Sequence, residues 1–348
     1  MNALTRLLGT RLPIVQAPMA GAQAGAMAIA ACEAGALGSL PCAMLTVDGM
    51  RAELDLIRSR TKQPCNVNFF CHVPPQPDAA REARWRERLA PYYAHFGIDA
   101  SKVPAGPGRS PFTSAAADAL EDYRPAVVSF HFGLPEAGLL ARVKSWGSKV
   151  MASATTVEEA LWLEARGVDV VIAQGVEAGG HRGMFLATDP AAQLGTFALL
   201  PQVVAAVKVP VVAAGGIADA QGVRAAMSLG AAGVQVGTAF LLCPEATTSA
   251  IHRAALRARP HETKLTNLFT GRPARGIVNR VMRELGAIDP DAPAFPLATA
   301  AIAPLRAKAE AAGSGDFSPL WSGQNAAGCR EIPAGKVVAA LAAGLEPR

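Results

Sequence analysis

The sequence has few aromatic and few charged residues. Of its 348 residues, 5% are Phe, Trp or Tyr, 18% are Asp, Glu, Lys or Arg, and 51% are hydrophobic. So much apolar sequence excludes a mainly disordered chain, and the length suits one large domain with an appendage or two medium domains. The net charge is only +5, and no block of Lys and Arg marks a nucleic-acid-binding arm. A small anionic ligand explains this mild positive balance at least as well as a polyanion does.

Several motifs that identify common catalytic sites are also missing. The six cysteines include no C-x-x-C pair, no His, Cys and Asp spacing fits a metal site, and no G-x-S-x-G motif occurs. We therefore expect reduced, buried thiols and no bound metal. The Ala- and Gly-rich stretch from Met19 to Met44 contains Glu33 and Pro41, which excludes a signal peptide or a membrane span. The expected location is the cytoplasm, with no membrane and no nucleic acid as partner.

Eight short apolar runs recur along the chain, each followed by a helical pattern. The later runs are nearly all apolar, as strands buried on both faces of a parallel sheet must be. Eight alternating strand and helix units predict a (β/α)8 TIM barrel. An open doubly wound sheet is the alternative, but the glycines after the first strand do not match its dinucleotide-binding motif. The predicted strands are Ile14–Ala17, Leu37–Leu40, Cys65–Phe70, Ala126–Phe130, Lys149–Ser153, Asp169–Ala173, Val209–Ala213 and Gly233–Val236.

Two segments interrupt this alternation. The first separates the third and fourth strands and contains a charged helical pattern over Asp78–Ala90 and a Pro- and Gly-rich patch over Val103–Pro111. The second is the tail after the eighth strand, which shows no convincing strand. Its helical patterns cover Ala246–Ala258, Thr299–Ala312 and Lys336–Ala343. We predict a barrel over residues 1–244 with a helical insertion at about 74–123, and a mostly helical accessory region over residues 245–348 near the barrel mouth.

Glycine turns follow the seventh and eighth strands. Many barrels bind a phosphate there through backbone N–H groups, and glycine lets the phosphate approach the backbone. Each turn by itself also fits a tight strand-to-helix connection, but the two together favour a phosphate. The turn residues are Gly215, Gly216, Gly237 and Thr238.

Amide side chains lie near strand ends, where an interior position is normally apolar. They are Asn68, Gln174 and Gln235. Buried amides must be hydrogen-bonded, and the edge of an isoalloxazine ring offers suitable donors and acceptors. A polar layer that caps the barrel core would explain any one of them. The Gly-rich loop Gln174–Gly183 either folds closely over a planar ligand or is a flexible loop with solvated charges.

His131 lies at the end of the otherwise apolar fourth strand. As a neutral imidazole it could abstract a weakly acidic C–H proton beside an electron-withdrawing group. A structural histidine with satisfied hydrogen bonds is the alternative. We expect His72 to be structural or to support the site. His181 is intermediate between His72 and His131 as a candidate for a functional role.

An ordered set of short motifs spans nearly the whole chain. They are Gln16–Met19, Asn66–His72, Ser129–Gly133, Gln174–Gly183, Ala213–Ile217, Gln235–Phe240, Gly271–Gly276 and Leu320–Gln324. Taken in this order, they resemble the bacterial class I nitronate monooxygenases, formerly called 2-nitropropane dioxygenases. The resemblance implies an FMN-bearing barrel that oxidises alkyl nitronates with O2 to carbonyl compounds and nitrite. Neutral nitroalkanes are a further candidate substrate.

The same resemblance assigns the site residues. His131 matches the catalytic base of the family. The residues implied for FMN are Met19, Asn68, Gln174, Gly179, Gly180, Gly215, Gly216, Gln235, Val236, Gly237 and Thr238. An FMN-dependent reductase that uses NAD(P)H and reduces a quinone or an enoyl thioester on the same barrel is the alternative. A flavin-free lyase or epimerase is a third possibility, and the chain is expected to be a monomer or a homodimer.

One departure from the family concerns the substrate pocket. Characterised members have tyrosines and a lysine there, whereas the corresponding late stretch Phe295–Ala303 contains neither. The insertion offers Phe112 and Tyr123 but no clear match. We therefore expect a more apolar pocket, in which an anionic substrate such as propionate 3-nitronate would lose a partner.

Overall fold

The computed structural model describes residues 2–103, 109–258 and 260–345, and its elements lie within those ranges. The strands are β1 (Ile14–Gln16), β2 (Gly38–Pro41), β3 (Cys65–Phe70), β4 (Val127–His131), β5 (Lys149–Ala154), β6 (Val170–Gln174), β7 (Gly180–His181), β8 (Val211–Ala214), β9 (Gly233–Val236), β10 (Thr263–Thr266) and β11 (Ala274–Ile277). The α-helices are α1 (Ala3–Leu8), α2 (Gly25–Glu33), α3 (Val47–Arg60), α4 (Ala79–His95), α5 (Ser114–Glu121), α6 (Ala137–Ser145), α7 (Val157–Ala165), α8 (Thr196–Ala206), α9 (Ala220–Ser228), α10 (Ala250–Arg257), α11 (Arg280–Glu284), α12 (Ala298–Ala311) and α13 (Ala334–Ala342).

Eight parallel strands form the predicted TIM barrel. Their order is β1-β9-β8-β6-β5-β4-β3-β2, and a parallel bridge between Val15 and Leu37 links the two ends of this sheet. The bounds of the strands differ from the predicted ones by one or two residues at most. The prediction of a (β/α)8 barrel is therefore confirmed.

The barrel core and its surrounding helices follow from the apolar runs and the capping residues. Val170 and Val171, neighbours in β6, are both fully buried, as a strand covered on both faces requires. Helix α7 begins after Thr156, whose hydroxyl accepts a hydrogen bond from the Glu159 N–H at 3.1 Å. Leu4 of α1 packs at the start of β9, so α1 covers the amino-terminal end of the barrel and leaves the carboxyl ends of the strands for the site.

The insertion and the tail share a second hydrophobic core. Trp85 and Leu89 of α4 are fully buried in one cluster with Leu305 of α12. The hydroxyl of Tyr93 donates to the carbonyl of Ala301 at 2.6 Å. Helix α4 extends beyond the predicted pattern to His95, and residues 104–108 of the predicted Pro- and Gly-rich patch lie outside the described residues.

The expectation that the tail contains no strand is wrong. Strands β10 and β11 pair antiparallel, and β11 also pairs with β7 from the loop after β6. These strands are short and contain Lys264 and Arg275, so they lack the apolar run that indicates a strand in the sequence. Pairing with β7 stabilises them, and such pairing between distant segments is a tertiary effect. The predicted tail helices are present as α10, α12 and α13.

Candidate active site at the carboxyl ends of the strands

The predicted site residues lie at or beside the carboxyl ends of the barrel strands. They are Met19, Asn68, His131, Gln174, Gly215, Gly216, Gln235, Val236, Gly237 and Thr238, with Gly179 and Gly180 in the loop after β6. We distinguish two groups. The histidine pocket consists of Phe70, His131, Phe132, His181 and Phe295. The glycine rim consists of Gly179, Gly216, Gly237, Thr238 and Gly323.

Both ring nitrogens of His131 are hydrogen-bonded within the protein. Nε2 lies 3.2 Å from the carbonyl oxygen of His181, and Nδ1 lies 3.0 Å from Oγ of Ser153. Because a carbonyl can only accept, Nε2 carries the proton and Nδ1 accepts from the Ser153 hydroxyl. Burial lowers the pKa of His131 to about 4 despite the hydrogen bond to His181, and the nearby Arg272 and Arg182 charges lower it further. The imidazole is therefore neutral at pH 7.

His181 has a ring nitrogen that is open to a ligand. Its Nε2 lies 2.9 Å from Oγ1 of Thr270, and that hydroxyl donates to the carbonyl of Arg272 at 3.4 Å. The hydroxyl therefore accepts from Nε2–H, which leaves the lone pair on Nδ1. Within the described ranges, no hydrogen bond to this Nδ1 is formed. Burial, followed by the charge of Arg109, lowers the pKa of His181 well below its usual range.

The turn after β4 and a glycine of the next loop set the position of His131. Phe132 has a φ of +71° and Gly133 a φ of +86°, so the chain turns sharply directly after His131. A Cβ on Gly183 would lie 2.9 Å from both Cε1 of His131 and Cβ of Ser153. Strained backbone of this kind concentrates at functional sites. The close approach explains why a glycine is required at position 183.

The loop after β6 is held by buried polar groups. Gln174 donates to the His181 carbonyl at 3.1 Å, and its Oε1 accepts from the Gly183 N–H at 2.7 Å. The guanidinium of Arg182 is fully buried and donates to the carbonyls of Gln174 and Gly175, each at 2.6 Å. These hydrogen bonds argue against the interpretation as a flexible loop with solvated charges, while closure over a planar ligand stays a prediction. Gln174 thereby positions His181, and its assignment to FMN stays a prediction.

The histidine pocket is aromatic, and two guanidinium groups border it. The rings of Phe70, Phe132 and Phe295 pack with centroids 4.8–6.1 Å apart. The Cζ atom of Arg272 lies 4.0 Å from the centroid of Phe132, and that of Arg109 lies 5.8 Å from the centroid of Phe295. That the pocket is more apolar than in characterised members of the family stays a prediction, and the structure adds two guanidinium groups at its border.

The sequence carried little signal for these two arginines. Arg272 belongs to the quoted motif Gly271–Gly276, but nothing in that motif gave it a role. Arg109 lies in the Pro- and Gly-rich patch of the insertion, which has no periodicity that would predict a direction for its side chain.

A segment of the tail ties the glycine rim together. The Gly323 N–H donates to Oγ1 of Thr238 at 3.0 Å, and Nδ2 of Asn325 donates to the Gly216 carbonyl at 2.9 Å. A Cβ on Gly179 would lie 2.5 Å from the Gly323 nitrogen. The tail segment is thus in direct contact with three loops of the barrel. In the sequence, Gly323 stands out only as part of the motif Leu320–Gln324.

Carboxylates already occupy the helix ends beside the glycine rim. Glu177 accepts from the N–H and the hydroxyl of Thr196 at the start of α8, and Asp219 caps α9 through the Gly222 N–H at 2.9 Å. An anion at the rim would therefore depend on backbone N–H groups of the rim itself. The side chain of Val236 is buried in the core, so this residue could offer only backbone atoms.

Two amide oxygens near the strand ends are free to accept hydrogen bonds. Oε1 of Gln235 is buried and has no partner among the described residues. Asn68 donates from Nδ2 to Ser129, at 2.9 Å to the hydroxyl and 3.2 Å to the carbonyl, and Oδ1 receives no hydrogen bond from the part of the chain that the structure describes. A buried acceptor without a donor is unfavourable, so these amides fit a ligand that carries N–H groups.

The comparison with known proteins identifies the family. A family model described as nitronate monooxygenase matches residues 1–344. This chain belongs to the nitronate monooxygenase family. The nitronate monooxygenase of Pseudomonas aeruginosa is 43% identical over 347 residues, which cover 98% of each chain. Membership makes the protein an enzyme of a monooxygenase family.

Solved structures of two similar proteins share the fold. The nitroalkane oxidase from Streptomyces ansochromogenes superposes with a TM-score of 0.90 at 42% identity, covering 99% of this chain and 97% of that one. FabK from Thermotoga maritima superposes with a TM-score of 0.75 at 25% identity, covering 99% and 96%. In the described part of the chain, no helix is long and apolar enough to cross a membrane.

Proposed function

We propose that this member of the family binds FMN and uses O2 to oxidise alkyl nitronates to carbonyl compounds and nitrite. The observation that carries the proposal is the histidine pocket, where an open imidazole nitrogen of His181 lies among aromatic rings bordered by Arg109 and Arg272. Positive charge in a partly buried pocket favours an anionic substrate, and a nitronate is an anion. The names of the relatives reported above support a nitronate as the substrate.

The strand ends fit FMN. The free acceptors of Gln235 and Asn68 suit the N–H groups of an isoalloxazine ring, and the backbone N–H groups of the glycine rim suit a phosphate. Met19 contributes a sulfur atom that would lie 3.6 Å from a Cβ on Gly237, so its side chain borders the rim. When bound, FMN would supply the electron acceptor of the reaction. Gln174 would support the site through the loop that it holds.

The protonation states favour substrates that arrive as nitronates. A neutral nitroalkane must first lose an α-proton, and the lone pair on Nδ1 of His181 is the basic site that is open to receive it. Burial lowers the pKa of His181 and of His131, so both are weak bases at neutral pH. A preformed nitronate needs no such step. We therefore expect activity with nitronates to exceed activity with the parent nitroalkanes.

The first experiment uses the purified holoenzyme and its visible spectrum. Anaerobic addition of a nitronate should reduce the flavin, and the same mixture in air should consume O2 and release nitrite. An identical sample with NADH in place of the nitronate is the control. Reduction by NADH with no response to nitronate would contradict the proposal and favour the reductase alternative.

A matched pair of variants separates the two histidines. The sequence-based assignment of the base to His131 stays a prediction, while the hydrogen bonds of the pocket favour His181 for the proton transfer. His181→Asn should lower kcat/KM for a neutral nitroalkane by about 100-fold or more, and that for the nitronate by less than about threefold. His131→Asn should show no such selectivity. A selective loss in His131→Asn alone would assign the base to His131.

A further inference from the structure

Two thiols meet at the amino ends of the barrel strands, away from the histidine pocket. Cys32 lies in the last turn of α2, and Cys65 is the first residue of β3. Sγ of Cys65 lies 3.3 Å from the carbonyl oxygen of Gly38, and Sγ of Cys32 lies 3.2 Å from that of Pro64. Because Pro64 directly precedes Cys65 in the chain, both sulfur atoms lie where β2 and β3 begin.

A glycine in β2 leaves the space in which the two sulfur atoms meet. Gly38 pairs in parallel register with Cys65, so a side chain at position 38 would lie on the same face of the sheet as the Cys65 thiol. A Cβ on Gly38 would lie 2.8 Å from Sγ of Cys32. The Cys32 sulfur therefore occupies the position beside Cys65 that a side chain of β2 would otherwise fill.

The contact between the two thiols makes them unequal. A hydrogen bond from the Cys65 thiol lowers the pKa of Cys32, although burial and the charge of Glu33 oppose this effect. The same hydrogen bond, together with burial, raises the pKa of Cys65 well above its ordinary range. Cys32 is therefore the thiol that more readily becomes a thiolate, which is the nucleophilic form. Cys32 is buried and Cys65 half-buried, so a small uncharged oxidant reaches the pair from the side of Cys65.

We propose that Cys32 and Cys65 form a reversible oxidation site, at which hydrogen peroxide joins their sulfur atoms in a disulfide. The Cys32 thiolate attacks one peroxide oxygen, the O–O bond breaks, and the leaving hydroxide takes up the proton that Cys32 released, which gives a sulfenic acid and water. The Cys65 sulfur then attacks the Cys32 sulfur, the S–O bond breaks, and the hydroxyl leaves as water with the Cys65 proton. The two thiols together lose two electrons, and one peroxide is reduced to two waters.

The site protects the thiols from irreversible oxidation. A sulfenic acid without a neighbouring thiol is converted by further peroxide to a sulfinic acid, which thiol reductants do not restore. Here Cys65 lies beside Cys32 and captures the sulfenic acid as a disulfide, which a thiol reductant reverses. The pair lies at the opposite end of the barrel from the histidine pocket, so this reaction is independent of whether the protein oxidises nitronates.

The test exposes the purified holoenzyme to hydrogen peroxide and maps its disulfides by proteolysis and mass spectrometry. We expect a cross-linked peptide that joins Cys32 to Cys65 and disappears after treatment with a thiol reductant. In Cys65→Ser the capturing thiol is missing, so dimedone should label the sulfenic acid of Cys32 at least about tenfold more than in the wild type. Cys42→Ser is the matched control, because it removes a buried thiol directly after β2, and it should form the same cross-link as the wild type.

Three results would overturn the proposal. They are the absence of a cross-link after peroxide treatment, a cross-link between any other pair of cysteines, and accumulation of sulfinic acid at Cys32 in the wild type. The disulfide map of the wild type decides the question even if Cys65→Ser does not fold. The same treatment of the chain unfolded in urea is the reference, because mixed pairs are expected there and the single pair only in the folded protein.

Discussion

Single side chains decide the proton chemistry of the histidine pocket. His131 and His181 lie close together, yet both ring nitrogens of His131 are hydrogen-bonded, whereas one nitrogen of His181 is open. Nδ1 of His131 accepts from Ser153, whereas Nδ1 of His181 has no partner in the described ranges. Both imidazoles carry their proton on Nε2, and the difference arises because the Ser153 hydroxyl donates to Nδ1 of His131. It cannot be deduced from the presence of the histidines in the sequence.

The first prediction concerns the pH dependence of activity. Burial lowers the pKa of His131 to about 4 and that of His181 well below 6.5, so both imidazoles stay neutral as the pH falls from 8 to about 5. We expect kcat/KM for a neutral nitroalkane to stay nearly constant in this range. A pH profile with an inflection near 6.5 would show that the basic imidazole has an ordinary pKa and would contradict the prediction.

The second prediction tests the close approach of Gly183 to His131. Gly183→Ala places a methyl group 2.9 Å from the ring and must displace His131 or the loop. We expect at least a tenfold loss of kcat, since small displacements of active-site groups have large effects on rate. Gly138→Ala in α6 is the control, because no atom of the described residues outside its own stretch of helix lies within 4 Å of the added Cβ. Comparable activity of the two variants would show that the contact at position 183 is unimportant.

Helix α7 positions the pocket by holding the loop that contains Met184–Ala187; we call this set of hydrogen bonds to Glu159 the clamp. Glu159 in the first turn of α7 is fully buried and receives hydrogen bonds from the N–H groups of Phe185, Leu186 and Ala187. It also accepts from the N–H and hydroxyl of Thr155. This loop includes Met184, whose carbonyl holds Arg272. A helix on the outside of the barrel thereby determines where a guanidinium of the pocket lies.

The third prediction removes the charge of this clamp. Glu159→Gln keeps the size of the side chain, but its amide N–H₂ cannot accept the hydrogen bonds that the carboxylate oxygen receives. We expect the free energy of unfolding to fall by about 3 kcal/mol or more, because several buried donors lose a charged acceptor. Glu158→Gln in the same helix turn is the control, since no described residue hydrogen-bonds its carboxylate, and it should change stability by less than about 0.5 kcal/mol. Chemical denaturation measures both variants, and equal stabilities would exclude the clamp.

At the scale of the whole molecule, the tail completes the rim of the barrel. Gly323 and Asn325 bond to Thr238 and Gly216, and β11 pairs with β7 from the loop after β6. The insertion joins the same layer through the second core. The domain boundary predicted at residue 244 stays a prediction. The site contains residues from both sides of this boundary.

The fourth prediction separates the tail from the rim. Gly179→Ala would place a Cβ 2.5 Å from the Gly323 nitrogen and force the tail segment away. We expect a folded protein that retains less than about half of the flavin of the wild type after gel filtration, because the rim would no longer be held in place. The absorbance ratio at 450 and 280 nm measures retention, and circular dichroism checks the fold. Full retention would show that the contact does not support cofactor binding.

The sequence alone was sufficient for the barrel and for the family motifs. The eight strands are apolar runs whose burial on both faces needs no knowledge of their partners, and residues such as Gln235 and Gly216 lie at strand ends in any barrel of this order. Strands β10 and β11 could not be predicted, because polar segments with Lys264 and Arg275 become strands only when β7 pairs with them.

The tertiary structure decided how the site works. Three features depend on atoms from segments far apart in the chain. They are the open nitrogen of His181, the loop held by Gln174, and the position of Arg109 at the histidine pocket. The periodicity and composition of the sequence indicate which residues of a single helix or strand are buried. Hydrogen-bond direction and the pairing of buried charges arise between elements, so they exist only in the folded molecule.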